Sequence, residues 1–350
     1  MRRIGRRALG GMVVAVLLAA APPGALQAGE AEAPCSGWGH PDFWHLTAPS
    51  EVRRCLAAGG DVNFRGKWGA TGLHFAAGRH PALTVKILLA AGADISAQDE
   101  DGGTPLHWAA TNPDTAPARL LFAAGAAVGA QDEDGDTPLH SAAISDAADT
   151  AAVLLAAGAD IEARNRRGMT PLHRAAEFAG ASAVRFLIAA GARPDARDRR
   201  GETPLHALAR GTDGTRWDAA YLERIVDLLL SAGVQVEARD GGGRTPLHVA
   251  AASDNAMVAK ALIDAGAQVE ARDKRRGTPL HAAARVADLD WAVYDHLYRA
   301  RSVKVLLAAG ATTDARDRDG RTPLQAARAS GNAIVEKALL DALAGTGARE

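Results

Sequence analysis

The 350-residue sequence predicts an all-α repeat solenoid, and three regularities predict it. Thr-Pro-Leu-His begins at Thr104, Thr137, Thr170, Thr203, Thr245 and Thr278, with Thr-Gly-Leu-His at Thr71 and Thr-Pro-Leu-Gln at Thr322 as variants; the steps are 33, 33, 33, 33, 42, 33 and 44 residues. A second landmark, the glycine of Leu-Leu-Ala-Ala-Gly-like stretches, stands at Gly59, Gly92, Gly125, Gly158, Gly191, Gly233, Gly266 and Gly310. Each of these glycines precedes the next threonine by 12 residues, whereas threonine to the following glycine is 21 residues five times, 30 once and 32 once. Every insertion therefore falls between Thr and Gly.

The residue types explain the elements. Thr supplies an N-cap, Pro suits the first helical turn because its missing N–H would be unpaired there, and Gly takes the left-handed conformation after the last turn. Each Thr-to-Gly segment is accordingly a helix, a turn and a second helix. The connectors, such as the stretch from Ala159 to Met169, alternate like a strand and end in a polar, Gly-containing tip, which predicts β-hairpin-like fingers. Ala109-Ala110 and Ala175-Ala176 let helices approach closely, while Leu88-Leu89, Leu154-Leu155 and Leu306-Leu307 fill the layer between arms. One arm alone could not bury that face, so the arms must stack.

Ahead of the repeats, four arginines precede an apolar run from Ala8 to Ala21 that Pro22 and Pro23 break. That order predicts a signal peptide over residues 1–28, cleaved after Ala28; the run is short for a bilayer span, and an uncleaved anchor is the alternative. Arg6 and Arg7 permit folded export. Residues 29–39 form a linker or N-terminal arm, and 346–350 a disordered tail. Cleavage removes four arginines and no acid, so the formal charge moves from -1 to -1 - 4 = -5. A sequence-blind nucleic-acid binder is normally basic, so no nucleic-acid partner is expected. The destination is the periplasm or the exterior, with no membrane insertion after cleavage and a monomeric chain.

The 33-residue period with its Thr-Pro-Leu-His and Leu-Leu-x-Ala-Gly-Ala-Asp signatures resembles the ankyrin repeat family over residues 40–345, with about eight repeats after an N-terminal capping arm. With its signal segment the chain also resembles exported bacterial ankyrin-repeat proteins. The resemblance implies stacked helix pairs, fingers projecting to one side and a concave face that binds protein partners. Family contacts at finger tips and on the inner helix surface map onto Glu100, Asp101, Glu133, Asp134, Arg166, Arg167, Arg199, Arg200, Trp108 and Phe178. The pattern is broken by Gly72 for Pro, Gln325 for His, and Leu343 where a terminal Gly would fall. These mark capping arms. Arg276 stands at a finger's usual glycine position, which predicts a differently shaped tip.

Seven histidines, His74, His107, His140, His173, His206, His248 and His281, occupy the motif, where an imidazole can bridge Thr and backbone groups of adjacent turns; a repeated solenoid position is a packing position first. His40, His45 and Asp42 form too small a set to predict a metal. Cys35 and Cys55 are either a disulfide or a buried thiol replacing Leu plus an exposed one, and export favours the disulfide. Closing that loop would contribute about 3 kcal/mol and pin Phe43 and Trp44 over the end of the stack. No phosphate-binding Gly-Lys-Ser/Thr loop, His-Glu-x-x-His or Gly-x-Ser-x-Gly occurs, so neither catalysis nor a cofactor is expected. Asp132 to Asp136 resembles a calcium loop but fails, because Thr137 and Pro138 stand where further ligands belong.

Two features separate this chain from a uniform array. Residues 93–103 and 126–136 each carry a net -4, and the following fingers carry +1, +1, 0 and +2. That row is either a solvated rim or a field that orients a partner. All three tyrosines fall in the enlarged arms at 203–233 and 278–310, together with two tryptophans: Trp217, Tyr221, Trp291, Tyr294 and Tyr298. Helical spacing would gather Leu289, Val293 and Leu297 on one stripe and the last three aromatics on another. Those side chains either cover their own arms or form a contact site. Two readings stand beside a binding scaffold: a self-associating envelope component, and an enzyme working from the aromatic arms.

Overall fold

The computed structural model describes residues 35, 38, 43–44, 48–79, 81–211, 217–285 and 300–346. The chain divides into two units, Met1–Ser36 and Gly37–Glu350; of the first, only Cys35 is described. The predicted signal segment thus lies outside the described residues. Neither cysteine is free: Cys35 and Cys55 are both disulfide-bonded.

Among the described residues of the second unit, the regular elements are helices. Helix α1 (Pro49–Ala57) is followed by the arm pairs α2 and α3 (Gly72–Arg79, Ala82–Ala90), α4 and α5 (Pro105–Ala110, Ala116–Ala123), and α6 and α7 (Pro138–Ile144, Ala148–Ala156). Next come α8 and α9 (Pro171–Glu177, Ala181–Ala189), α10 and α11 (Pro204–Gly211, Ala219–Ser231), and α12 and α13 (Pro246–Ala252, Ala256–Asp264). The last are α14 and α15 (Pro279–Ala284, Arg301–Ala308), and α16 and α17 (Pro323–Ser330, Ala333–Thr346). Even-numbered helices, which the threonine motif opens, pack on one another in chain order, and the odd-numbered ones form a second layer. The predicted small-residue contacts are present: Ala109, Ala110, Ala175 and Ala176 are wholly buried. Of each leucine pair only the first member is fully buried, at Leu88, Leu154 and Leu306, while Leu89, Leu155 and Leu307 are partly exposed.

Each motif histidine fastens one arm to the next. In the arm of α8, the Thr170 N–H donates to His173 Nδ1 at 3.2 Å, and His173 Nε2 lies 3.0 Å from the carbonyl of Glu202, in the following repeat. Because Nδ1 accepts, the ring proton sits on Nε2 and is donated across the repeat boundary. The same pair of bonds recurs from His74 to Gly103, His107 to Asp136, His140 to Met169, His206 to Arg244, His248 to Gly277 and His281 to Arg321. The two longest of these spans, from His206 and His281, cross the enlarged arms. The insertions therefore leave the register of the motif layer intact. Burial lowers the pKa of all seven rings, taking His173 and His248 to about 4. In the last motif, Gln325 keeps the cap, its Oε1 accepting from the Thr322 N–H at 3.0 Å.

The break at Gly72 has a steric cause. A Cβ there would lie 2.5 Å from the Trp44 ring, which also stacks on Phe75 at 6.4 Å between centroids. Trp44 in turn donates its indole N–H to the Trp38 carbonyl, and Trp38 donates to the Asp61 carbonyl. An aromatic cluster of Trp38, Phe43 and Trp44 thus lies at the end of the motif layer. Restoring the repeat consensus by Gly72→Pro is expected to destabilise the protein by about 1–3 kcal/mol, because the ring has to move. Urea unfolding checks this: a midpoint unchanged or raised would sink the steric explanation.

Candidate protein-binding surface

The fingers are turns, not β-hairpins. Among the described residues there is no strand, only one isolated bridge between Arg65 and Thr71. The alternation misled because a short carboxylate does the folding: Asp99 Oδ1 accepts from the N–H groups of Asp101 (3.1 Å) and Gly103 (2.7 Å). Asp132, Asn165, Asp198, Asp240, Asp273 and Asp317 repeat this two-bond turn. At the tip the chain turns left-handed, at Gly102 with φ 77°, where a Cβ would also meet the Glu133 backbone nitrogen at 2.9 Å. Arg276 takes the same conformation with φ 59°, and Asp273 folds that finger like the others. The different tip shape expected there is not found.

Successive fingers are locked together by one backbone bond per repeat. The N–H of Glu100 donates to Trp68 O, Glu133 to Asp101, Arg166 to Asp134, Arg199 to Arg167, Gly241 to Arg200, Lys274 to Gly242 and Arg318 to Arg275, all at 2.7–3.0 Å. A second link comes from arginine. Arg164 donates to the carbonyls of Gly168, in its own finger, and Arg197, in the next; Arg65, Arg197, Arg239 and Arg272 do likewise. Sequence reasoning missed this clamp although its signal was present, an Arg six residues before the motif threonine in six of eight cases. Gln98 and Gln131 are the two exceptions.

The tips Glu100, Asp101, Glu133, Asp134, Arg166, Arg167, Arg199 and Arg200 are all exposed. Carboxylate crowding on the acidic stretch is reflected at Asp132, which burial and then the neighbouring Asp136 push up to about 6. The inner-surface pair is already engaged. Trp108 is half-buried, donates to Asp99 Oδ2 at 2.7 Å and meets Phe75 edge-on at 5.3 Å. Phe178 lies under the Arg174 guanidinium at 4.9 Å, and Arg174 also pairs with Asp136 and Glu177.

Of the enlarged-arm aromatics, Trp291, Tyr294 and Tyr298 lie outside the described residues. Tyr221, stacked on Trp217 at 4.6 Å, works inside the fold. Its hydroxyl donates to the Ala179 carbonyl at 3.1 Å and accepts from the Ala181 N–H at 3.3 Å. In other arms an aspartate at the position of Ala179 supplies a related link. Asp146 accepts from the Ala183 N–H, and Asp254 from the Ser302 N–H. Alanine has no acceptor to offer, and the tyrosine reaches back from the next arm instead. Tyr221→Phe is expected to cost about 1 kcal/mol, read as a lowered urea midpoint. Unchanged stability would mean that the hydroxyl is idle.

The described residues hold no group of three or more His, Cys, Asp or Glu side chains placed to bind a metal, and no helix long and apolar enough to cross a membrane. What they do hold is a row of exposed, charge-segregated tips on a rigid helical stack. Such a stack is the frame of a repeat scaffold. The family model for ankyrin repeats (three copies) matches residues 45–132, 73–165, 114–198, 154–215 and 217–294, and the chain belongs to the ankyrin repeat family. Repeats of this family generally mediate protein–protein interaction and are typically non-enzymatic. Comparison with curated proteins gave no match.

Proposed function

We propose that this is an exported, non-enzymatic scaffold that holds protein partners on its finger row. The observation that carries the reading is the exposed tip series, acidic at Glu100, Asp101, Glu133 and Asp134 and basic at Arg166, Arg167, Arg199 and Arg200, fixed in register by one backbone bond per repeat. A backbone already ordered in the free chain spares the cost of ordering loops on binding, and segregated charge orients the approaching partner. Export rests on the basic-then-apolar order of residues 1–28 and is supported by the disulfide-bonded state of Cys35 and Cys55, a state found mainly in oxidising compartments.

A cross-linking pull-down from envelope extracts tests the binding role. It compares the wild type with one variant neutralised at the four acidic tips and another at the four basic ones. Loss of a partner in either variant, with unfolding unchanged, is the expected result; retention of every partner in both would refute the finger-row reading. Export has its own readout: the chain recovered outside the cytoplasm should begin at Gly29.

A further inference from the structure

The first finger differs from those that follow. Phe64 and Trp68 lie on it 46% and 49% exposed, two large apolar side chains in one short connector, whereas the other exposed large apolar residues among those described sit on α-helices. Trp68 holds the tip position, third before the motif threonine, that Asp101, Asp134, Arg167 and Arg200 hold in the next four fingers. The Lys67 ammonium lies 4.7 Å from the indole centroid, so one face of that ring already carries a cation. The Trp68 carbonyl accepts from the Glu100 N–H at 2.8 Å, which sets the aromatic finger directly beside the acidic ones.

Those acidic fingers also lack the arginine that clamps most of the row. Gln98 and Gln131 replace it, so each keeps its net -4 while its neighbours carry arginine at that position. Arg65 of the first finger still reaches the Gln98 carbonyl, but neither acidic finger carries a clamp arginine of its own. An exposed apolar tip continuous with such net-acidic fingers is complementary to a segment that is both basic and apolar. Anionic lipid, nucleic acid and acidic proteins would be repelled.

We infer that fingers one to three are the docking surface for a basic segment of a partner protein, whose Arg or Lys side chains lie along Glu100, Asp101, Glu133 and Asp134 and whose apolar residue packs on Phe64 and Trp68. The inference rests on the finger-row reading above and narrows it to one end and one partner chemistry. An arginine of that segment could also stack on the indole.

Fluorescence anisotropy with the full chain tests it, using a labelled short Arg/Leu peptide and its Glu/Leu counterpart. The Arg/Leu peptide should bind, more weakly as salt is added. Affinity should fall at least about tenfold in the Glu100→Gln, Asp101→Asn, Glu133→Gln, Asp134→Asn variant and in Trp68→Ala. It should be unchanged in Glu223→Gln, Asp227→Asn, which removes two exposed carboxylates from α11. Melting curves check folding, and Glu133→Gln alone serves if the fourfold variant unfolds early. Equal binding to wild type and tip variants would overturn the inference, as would binding of neither peptide. Preference for the Glu/Leu peptide would overturn it too, yet leave the finger-row reading standing on its basic tips. Concentration-dependent self-association lost in the same variants would make a second copy of the chain the occupant and likewise overturn it.

Discussion

Acidification from pH 7 to about pH 4 is expected to destabilise the stack steeply. The seven motif imidazoles are held neutral by burial, with Nδ1 accepting from a threonine N–H and Nε2 facing a carbonyl of the next repeat. Unfolded, each ring takes up a proton near pH 6.5; folded, it does so only at lower pH, about 4 for His173 and His248. In that window the unfolded chain binds more protons, so stability is fully present above pH 6.5 and is lost as pH falls through the folded values. Each such ring contributes about 1.4 kcal/mol per pH unit, or roughly 3 kcal/mol for each of those two.

Two carboxylates oppose the trend. Asp132, raised to about 6, and Asp254, also raised by burial, favour the folded state as they protonate. Asp317, held down to about 2 despite its burial by hydrogen bonds led by the Arg285 guanidinium, adds a further loss only below pH 3.8. Seven rings against two carboxylates leave a net loss. Urea midpoints measured from pH 7 to pH 4 check it, and a flat profile between pH 7 and pH 5 would contradict the buried neutral tautomer.

Removing one staple from the middle of the stack should have an effect of similar size. His173→Ala leaves the buried Thr170 N–H and Glu202 carbonyl without their shared partner and opens a cavity, a loss on the order of 3 kcal/mol. His173→Gln should cost less, because Gln325 already makes the same threonine cap in the last motif. Both variants should also flatten the acid profile by about one proton's slope. Equal losses for Ala and Gln would mean that the cap contributes little, and an unchanged slope would mean that His173 is not a titrating group.

Much of this architecture was legible in the sequence because repetition makes local rules reinforce one another. Thr, Pro and Gly each mark a helix end by backbone preference, and their constant spacing located every arm. What was not legible depends on side chains that meet across repeats. The long bond from each imidazole to the next arm, the Arg164-type clamp and the Tyr221 strut join residues separated by about one repeat or more, and no single-repeat pattern names their partners. The finger alternation suggested strands, but a carboxylate such as Asp99 turns the chain before a ladder can form.

The candidate site was only partly legible for the same reason. Charge at the tips could be read off directly, since surface charge needs no partner. In the sequence the aromatic-rich insertions stand out, whereas Trp68 on the first finger is set apart only by its exposure, which depends on the fold. Trp108, assigned to the inner surface by family likeness, turns out to be tied to Asp99 and Phe75.

The most direct test of the scaffold account is carboxylate footprinting of the purified chain alone and bound to the partner recovered by pull-down. The account predicts that Glu100, Asp101, Glu133 and Asp134 lose labelling in the complex while the exposed Glu223, Asp227 and Asp341 of the second-helix layer label as before. Protection of the second-helix carboxylates with the finger tips still fully labelled would contradict it.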